Sequence, residues 1–171
     1  MASVLTVQTG YTGVWYRDDD KSDDPEPKLE ATIEGFVQKM SRGRDTVEDV
    51  DPQFVKRLNQ VLERFVQYAD ELYMERSRRD LVVDDGGDNL RIYYLDGQEH
   101  ERQMQDGTRL ETKATPTGSQ IDVEMKTSDG AKIFETYKLS SGGNEMVLTV
   151  RLEDKQLKAP LVIRSVYSRA N

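Results

Sequence analysis

The chain has 171 residues, a length that fits one domain, and it contains no cysteine. Disulfides, thiolate metal sites and a cysteine nucleophile are therefore excluded. Its formal net charge is -8, from 24 Lys and Arg against 32 Asp and Glu. This charge disfavours DNA, RNA or an anionic membrane as the main partner, because each of these surfaces attracts positive charge.

No run of residues approaches the roughly 20 apolar side chains of a transmembrane helix. Residues 1–10 also lack the basic start of a secretory signal. Two locations fit the chain. It is either a mature periplasmic or secreted domain, which we prefer, or a cytoplasmic protein.

The N-terminal part predicts a strand followed by a helix. Residues 11–17 are rich in aromatic and β-branched side chains, which is typical of a strand. An acidic stretch, residues 18–24, leads to Asp24-Pro25, a plausible helix start. Apolar side chains then recur at helical spacing, at Leu29, Ile33, Val37 and Met40.

A second helix is predicted after Asp51-Pro52, an N-cap and first-turn pair. A continuous apolar stripe follows, made of Phe54, Leu58, Val61, Leu62, Phe65, Ala69, Leu72 and Tyr73. A stripe this wide needs a packed surface opposite it. The two helices together predict a helical insertion over residues 28–76.

Residues 79–168 predict an antiparallel β-meander. Turn signals such as Asp96-Gly97 recur about every 10 to 15 residues, and apolar and polar residues alternate between them, as at Ile121, Val123 and Met125. The predicted fold is mainly β, a single domain of residues 1–171. It is an antiparallel up-and-down β-barrel or half-barrel with two helices between the first and second strands.

Four short motifs carry a family resemblance. They are Gly-x-Trp-x-x-Asp (residues 13–18), Tyr-x-x-Asp-Gly (93–97), Arg-x-x-Tyr (164–167) and Val-Tyr-x-Arg (166–169). With the helices and the meander, they resemble the calycin superfamily of lipocalins and fatty-acid-binding proteins, and in particular small bacterial exported lipocalin-like proteins of unassigned function. The helical insertion is similar to that of fatty-acid-binding proteins, although it is longer.

The resemblance implies a closing pair at one end of the barrel. A tryptophan of the first strand packs there against an arginine of the last strand, and the matching residues are Trp15 and Arg164. Cation–π contact would accommodate the charge of the arginine. We expect this pair at the end opposite the helices.

The resemblance does not identify ligand-contacting residues, although fatty-acid-binding proteins hold a carboxylate with internal Arg and Tyr. Tyr93 and Tyr94 must face opposite sides of their strand, so one of them points inward. Arg151 alternates onto a polar face, which favours a surface position. The pocket candidates are Tyr94, Tyr167 and Met125.

No motif predicts catalysis, a metal or a cofactor. His100 is the only histidine, and its neighbours Glu99 and Glu101 face the other side of the strand, which is poor geometry for a metal site. The acidic runs at residues 18–24 and 84–88 lack the spacing of a calcium loop. We therefore predict no enzyme.

Two functions remain open. The chain is either a lipocalin-like module that binds a lipid or another apolar small molecule, or a structural or interaction domain with a filled core. A large exposed apolar patch would favour the second. The sequence gives neither the ligand nor the oligomeric state.

Overall fold

The computed structural model describes residues 10–40, 69–87, 90–103, 107, 109–128, 130–155 and 157–170. They form one helix and ten strands, which are β1 (Gly13–Asp18), α1 (Pro25–Met40), β2 (Glu71–Arg76), β3 (Asp80–Asp84), β4 (Arg91–Tyr94), β5 (Glu99–Gln103), β6 (Arg109–Thr117), β7 (Gln120–Thr127), β8 (Lys132–Leu139), β9 (Glu145–Glu153) and β10 (Leu161–Arg169).

The ten strands form a single antiparallel sheet in the order β4-β3-β2-β1-β10-β9-β8-β7-β6-β5. The first strand pairs with the last, so the sheet curls into a nearly closed barrel. Its two edges, β4 and β5, are consecutive strands joined by a tight turn. The amide of Gly97 in this turn donates to the carbonyl of Ala114 on β6 at 3.1 Å. Arg102 of β5 donates to the carbonyl of Leu90, just before β4, at 3.0 Å.

The strands alternate between a buried and an exposed face, as the sequence predicts for a sheet with one wet side. In β7, for example, Ile121, Val123 and Met125 are each at most 5% exposed, and the residues between them are partly exposed. Buried side chains from α1 and from every strand except β5 form one core cluster. Burial of this apolar surface is the main force that favours the curled sheet over a flat one.

Helix α1 covers one end of the barrel. Asp24 caps it, since its carboxylate accepts a hydrogen bond from the amide of Glu26 at 3.1 Å. Phe36 is fully buried in the core, and the predicted face residues Leu29, Ile33 and Val37 pack against that core. The first predicted helix is therefore confirmed, and Phe36 is its main buried side chain.

The second predicted helix lies mostly outside the described residues. Its predicted last turn is wrong, because Leu72 and Tyr73 belong to β2. Leu72 pairs with Trp15 in the β1–β2 ladder, and Met74 pairs with Gly13. Leu72 and Met74 are buried and Tyr73 is 47% exposed, which is the alternation of a strand. The helical insertion therefore ends before residue 71, and not at residue 76.

The turn between β6 and β7 is short. Strand β6 continues through Pro116, which lies opposite Ile121 of β7, and ends at Thr117. The turn itself is made by Gly118, whose φ of +59° is a left-handed conformation that glycine tolerates best.

Candidate functional site

The end of the barrel away from α1 is sealed by Trp15 and Arg169. The indole of Trp15 is fully buried, and the guanidinium of Arg169 lies 4.4 Å from its ring centroid. Arg169 also donates hydrogen bonds to the carbonyls of Thr12, at 2.7 Å, of Gly143, at 3.1 Å, and of Gly10. One side chain thus stacks on the tryptophan and joins the segment just before β1 to the β8–β9 turn.

The predicted partner of Trp15 is corrected from Arg164 to Arg169. In the β1–β10 ladder Trp15 lies directly opposite Arg169, so the two side chains share a face. Arg164 is five positions away on the same strand, and an odd separation places its side chain on the other face. It is exposed and donates to the carbonyl of Lys21 at 3.0 Å.

The interior of the barrel holds a polar cluster centred on Glu135 of β8, which is 3% exposed. The hydroxyls of Tyr93 and Tyr137 both donate to its Oε2 atom, at 2.8 and 2.6 Å. Arg91 donates from Nη1 to its Oε1 atom at 3.2 Å. We call these four residues, Arg91, Tyr93, Glu135 and Tyr137, the interior cluster.

The interior cluster crosses the barrel from one wall to the other. Arg91 and Tyr93 lie on β4, at one edge of the sheet, and Glu135 and Tyr137 lie on β8, six strands away. Alternation explains this geometry, since the two members on each strand are two residues apart and share its inner face.

Burial governs the electrostatics of the interior cluster. Burial, reinforced by the charge of Glu135, raises the pKa of Tyr93 and of Tyr137 above the ordinary value, so both phenols stay protonated as donors. Burial acts to lower the pKa of Arg91, but the surrounding Tyr137 and Glu135 raise it overall. The arginine therefore remains a cation beside the carboxylate.

Two more interior tyrosines surround this cluster. Burial raises the pKa of Tyr167 to about 12, although the nearby cations Arg17 and Arg91 oppose the shift. Its hydroxyl donates to the carbonyl of Ala69 at 2.9 Å. Burial likewise raises the pKa of Tyr11 to about 12, and its hydroxyl lies 2.9 Å from the carbonyl of Tyr137.

The structure separates the three predicted pocket candidates. Tyr167 and Met125 are at most 5% exposed and belong to the core cluster. Tyr94 is 49% exposed on the outer face, so the prediction that it lines a pocket is wrong. Its neighbour Tyr93 is the tyrosine that faces inward. Arg151 lies on the outer face as expected, with its guanidinium 4.3 Å from the ring centroid of Phe134.

His100 lies on the edge strand β5, opposite Thr112 of β6, and its side chain is 37% exposed. Its Nε2 atom lies 2.9 Å from the carboxylate of Asp96, and its ring contacts Tyr94. Asp23, in the first acidic run, accepts hydrogen bonds from Lys28 and from the amide of Arg164. Within the described ranges, no group of three or more His, Cys, Asp or Glu side chains could hold a metal ion.

Sequence reasoning missed Glu135 and Arg91. The sequence did hold a signal for Glu135, because alternation places it on the same face of the strand as Ile133, Tyr137 and Leu139. A charged residue on the buried face of a strand indicates an interior partner of opposite charge. Nothing local identifies Arg91 as that partner, because its contact with Glu135 spans 44 residues of sequence.

Comparison with known proteins supports the fold. No protein-family model matches the chain, and no curated protein sequence matches it. Among solved structures, it is similar to the REP1-NXSQ fatty acid transporter, with 13% identity, a TM-score of 0.53 and coverage of 94% of this chain and 96% of that one.

Two further structures have the same architecture. A secretory abundant heat soluble protein from Ramazzottius varieornatus has 16% identity, a TM-score of 0.56 and coverage of 95% and 96% of the two chains. Lipid binding protein 8 from Caenorhabditis elegans has 10% identity, a TM-score of 0.53 and coverage of 93% and 94%. At such low identity these likenesses show the fold alone, an antiparallel β-barrel that this chain shares with the three proteins. Helix α1, the one helix of the described residues, is not long and apolar enough to cross a membrane.

Proposed function

We propose that the protein binds an apolar small molecule inside the barrel, on the α1 side of the interior cluster. The observation that carries this proposal is the interior cluster itself. A core that serves stability alone gains little from a buried ion pair, since apolar residues of similar volume are often equally or more stabilising. An apolar interior with a few converging polar groups is instead the usual composition of a small-molecule site.

The surroundings of the cluster fit an apolar ligand. Between the cluster and α1, apolar side chains line much of the wall, with Met125, Ile133 and Leu152 from the strands and Phe36 from the helix. The names of two similar structures, a fatty acid transporter and a lipid binding protein, add support from the fold. The binding of a lipid by the present chain is an inference from these features.

The test is binding of Nile red, a neutral apolar dye, followed by native mass spectrometry of the purified protein. We expect a saturable fluorescence increase and a one-to-one complex. Ala114→Leu, which adds volume on the inner face of β6, should weaken binding. Thr115→Leu, its outward-facing neighbour, is the matched control and should not. Equal binding by both variants, or no complex at all, would refute the proposal.

A second candidate function, docking of a protein partner, is favoured by one observation. Six large apolar side chains among the described residues are more than a third exposed, and five of them lie on or beside β1, β2 and β4, namely Tyr16, Tyr73, Leu90, Ile92 and Tyr94. Sedimentation velocity would test self-association through this face. A monomer at all concentrations would leave the first proposal as the better one.

We also propose that the protein belongs to the small exported lipocalin-like group. The support is that two motifs of that group supply the closing pair, with Trp15 from the motif of residues 13–18 and Arg169 from the motif of residues 166–169. Cell fractionation of the producing organism, with an antibody against this domain, would test it. Recovery with the cytoplasmic fraction alone would contradict it.

A further inference from the structure

The interior cluster has few donors left for a second anion. Each tyrosine hydroxyl carries one proton, and both of these protons go to the same oxygen of Glu135. Arg91 directs a third donor to the other oxygen. The carboxylate of Glu135 thus takes both phenol protons and one N–H donor of Arg91, which an acidic ligand would otherwise use.

The charges inside the barrel also disfavour an acidic ligand. The cation Arg91 is matched by Glu135. The nearby cation Arg17, with a side chain 7% exposed, pairs with Asp19 and donates to the carbonyl of Asp23. A bound carboxylate would add a negative charge beside Arg91 and Arg17, two described cations that already have anionic partners, and burial of an unpaired charge is strongly unfavourable.

A neutral oxygen could still be accommodated. The Nε atom of Arg91 is buried, and the described residues offer it no acceptor. Each phenol oxygen also retains the capacity to accept a hydrogen bond. A hydroxyl group could accept from Nε and donate to a phenol, and a carbonyl could accept from Nε.

We propose that the barrel selects apolar molecules with a neutral hydroxyl or carbonyl head group and discriminates against carboxylates, because Glu135 acts as a built-in anion beside Arg91. This inference rests on the proposed binding of an apolar ligand. It makes Glu135 the residue that determines specificity. The apolar tail lies toward α1, and the head group contacts Arg91.

The experiment compares hexadecanol and palmitate, which have the same chain length, as competitors of Nile red at neutral pH. We expect the wild type to bind hexadecanol about tenfold more tightly, the ratio that one unpaired polar contact can produce. Glu135→Gln leaves Arg91 without its anion. This variant should gain about tenfold in palmitate affinity while hexadecanol binding changes little. Glu111→Gln, an exposed glutamate of β6, is the matched control and should keep the wild-type ratio.

The outcomes separate the two proposals. Failure of the wild type to bind either competitor or the dye overturns the proposed function, and the inference falls with it. Tighter binding of palmitate than of hexadecanol by the wild type overturns the head-group inference alone. Should Glu135→Gln fail to fold, the wild type supplies a second measurement. Palmitate affinity should rise as the pH falls and the fatty acid becomes neutral, and a constant or falling affinity overturns the inference.

Discussion

Arg169 shows how one side chain can close a barrel end that the ladder hydrogen bonds leave open. Its planar guanidinium stacks on Trp15 and donates to carbonyls that come from two separate segments of the chain. Lysine has the same charge but cannot reproduce this combination, because its ammonium group is a compact point charge without the planar fork. The closing function therefore depends on shape as well as on charge.

We expect Arg169→Lys to lower the free energy of unfolding by about 1–3 kcal/mol, from lost hydrogen bonds and cation–π contact. Urea denaturation measures the loss, and fluorescence reports the site directly, because Trp15 is the only tryptophan. Its emission should shift to longer wavelength as water reaches the indole.

The control for this substitution is Arg164→Lys on the same strand. Arg164 is exposed on the other face, and a change there should stay within about 0.5 kcal/mol. Equal losses in the two variants would mean that Arg169 contributes only a surface charge.

The comparison of Arg164 with Arg169 also shows what sequence could and could not predict at the residue level. The motif of residues 166–169 already contained the correct arginine. The choice between the two requires the register of β1 against β10, a long-range pairing that no local pattern encodes. The same holds for Tyr93 and Tyr94, since alternation separates their faces but does not say which face is inside.

At the level of elements, the sequence predicted most strands and the first helix, because amphipathic periodicity is a local property. The prediction failed at Leu72 and Tyr73, because their distance in sequence from Ala69 fits a helix whereas the alternation of Leu72 with Met74 fits a strand. Pairing with β1 in the sheet makes these residues part of a strand. Tertiary pairing thus overrides a local helical pattern at the start of β2.

The attachment of α1 to the sheet depends on Asp23, just before the helix. Its Oδ2 atom accepts hydrogen bonds from Lys28 of α1 at 2.6 Å and from the amide of Arg164 on β10 at 2.8 Å. Partial burial opposes ionisation, but these hydrogen bonds and the nearby positive charges together hold the pKa of Asp23 below its usual value. The folded protein therefore favours the carboxylate.

A pKa that is lower in the folded state stabilises the protein above the unfolded pKa, and this contribution is lost as the pH falls through the folded pKa. We expect Asp23→Asn to cost about 1 kcal/mol at neutral pH, from the weakened charged hydrogen bonds. The difference from wild type in urea denaturation should shrink when the pH is lowered below about 4.

Asp20→Asn is the control for this pH dependence. Asp20 lies in the same acidic run and is exposed, so its substitution should change stability by less than about 0.5 kcal/mol. A loss for Asp23→Asn that is the same at neutral and acidic pH would show that the carboxylate charge has no part in holding α1.

At the level of the whole molecule, the described residues leave two routes by which a ligand could reach the interior. The first is the end of the barrel that α1 covers, since the opposite end is sealed by Arg169. The second is the edge between β4 and β5, where consecutive strands do not pair with each other. The two routes can be distinguished because α1 approaches the β9–β10 connection closely, at a position suited to a covalent lock.

A disulfide between Gly35→Cys and Lys158→Cys provides this lock. A Cβ atom at position 35 would lie 3.7 Å from the Cβ of Lys158, within the roughly 3.5–4.5 Å that disulfides require. The chain has no native cysteine, so the engineered pair has no competitor. The oxidised variant should be more stable by about 2–4 kcal/mol.

If the ligand enters past α1, oxidation of this variant should slow the dissociation of bound Nile red by about tenfold or more, because α1 must move for release. Stopped-flow displacement of the dye by excess hexadecanol measures the rate of dissociation. The same variant in reducing agent is the matched control. Equal rates in the oxidised and reduced forms would exclude the α1 end and place the route at the unpaired edges of β4 and β5. The interior cluster would then be reached beside Arg91 itself, since that residue lies on β4.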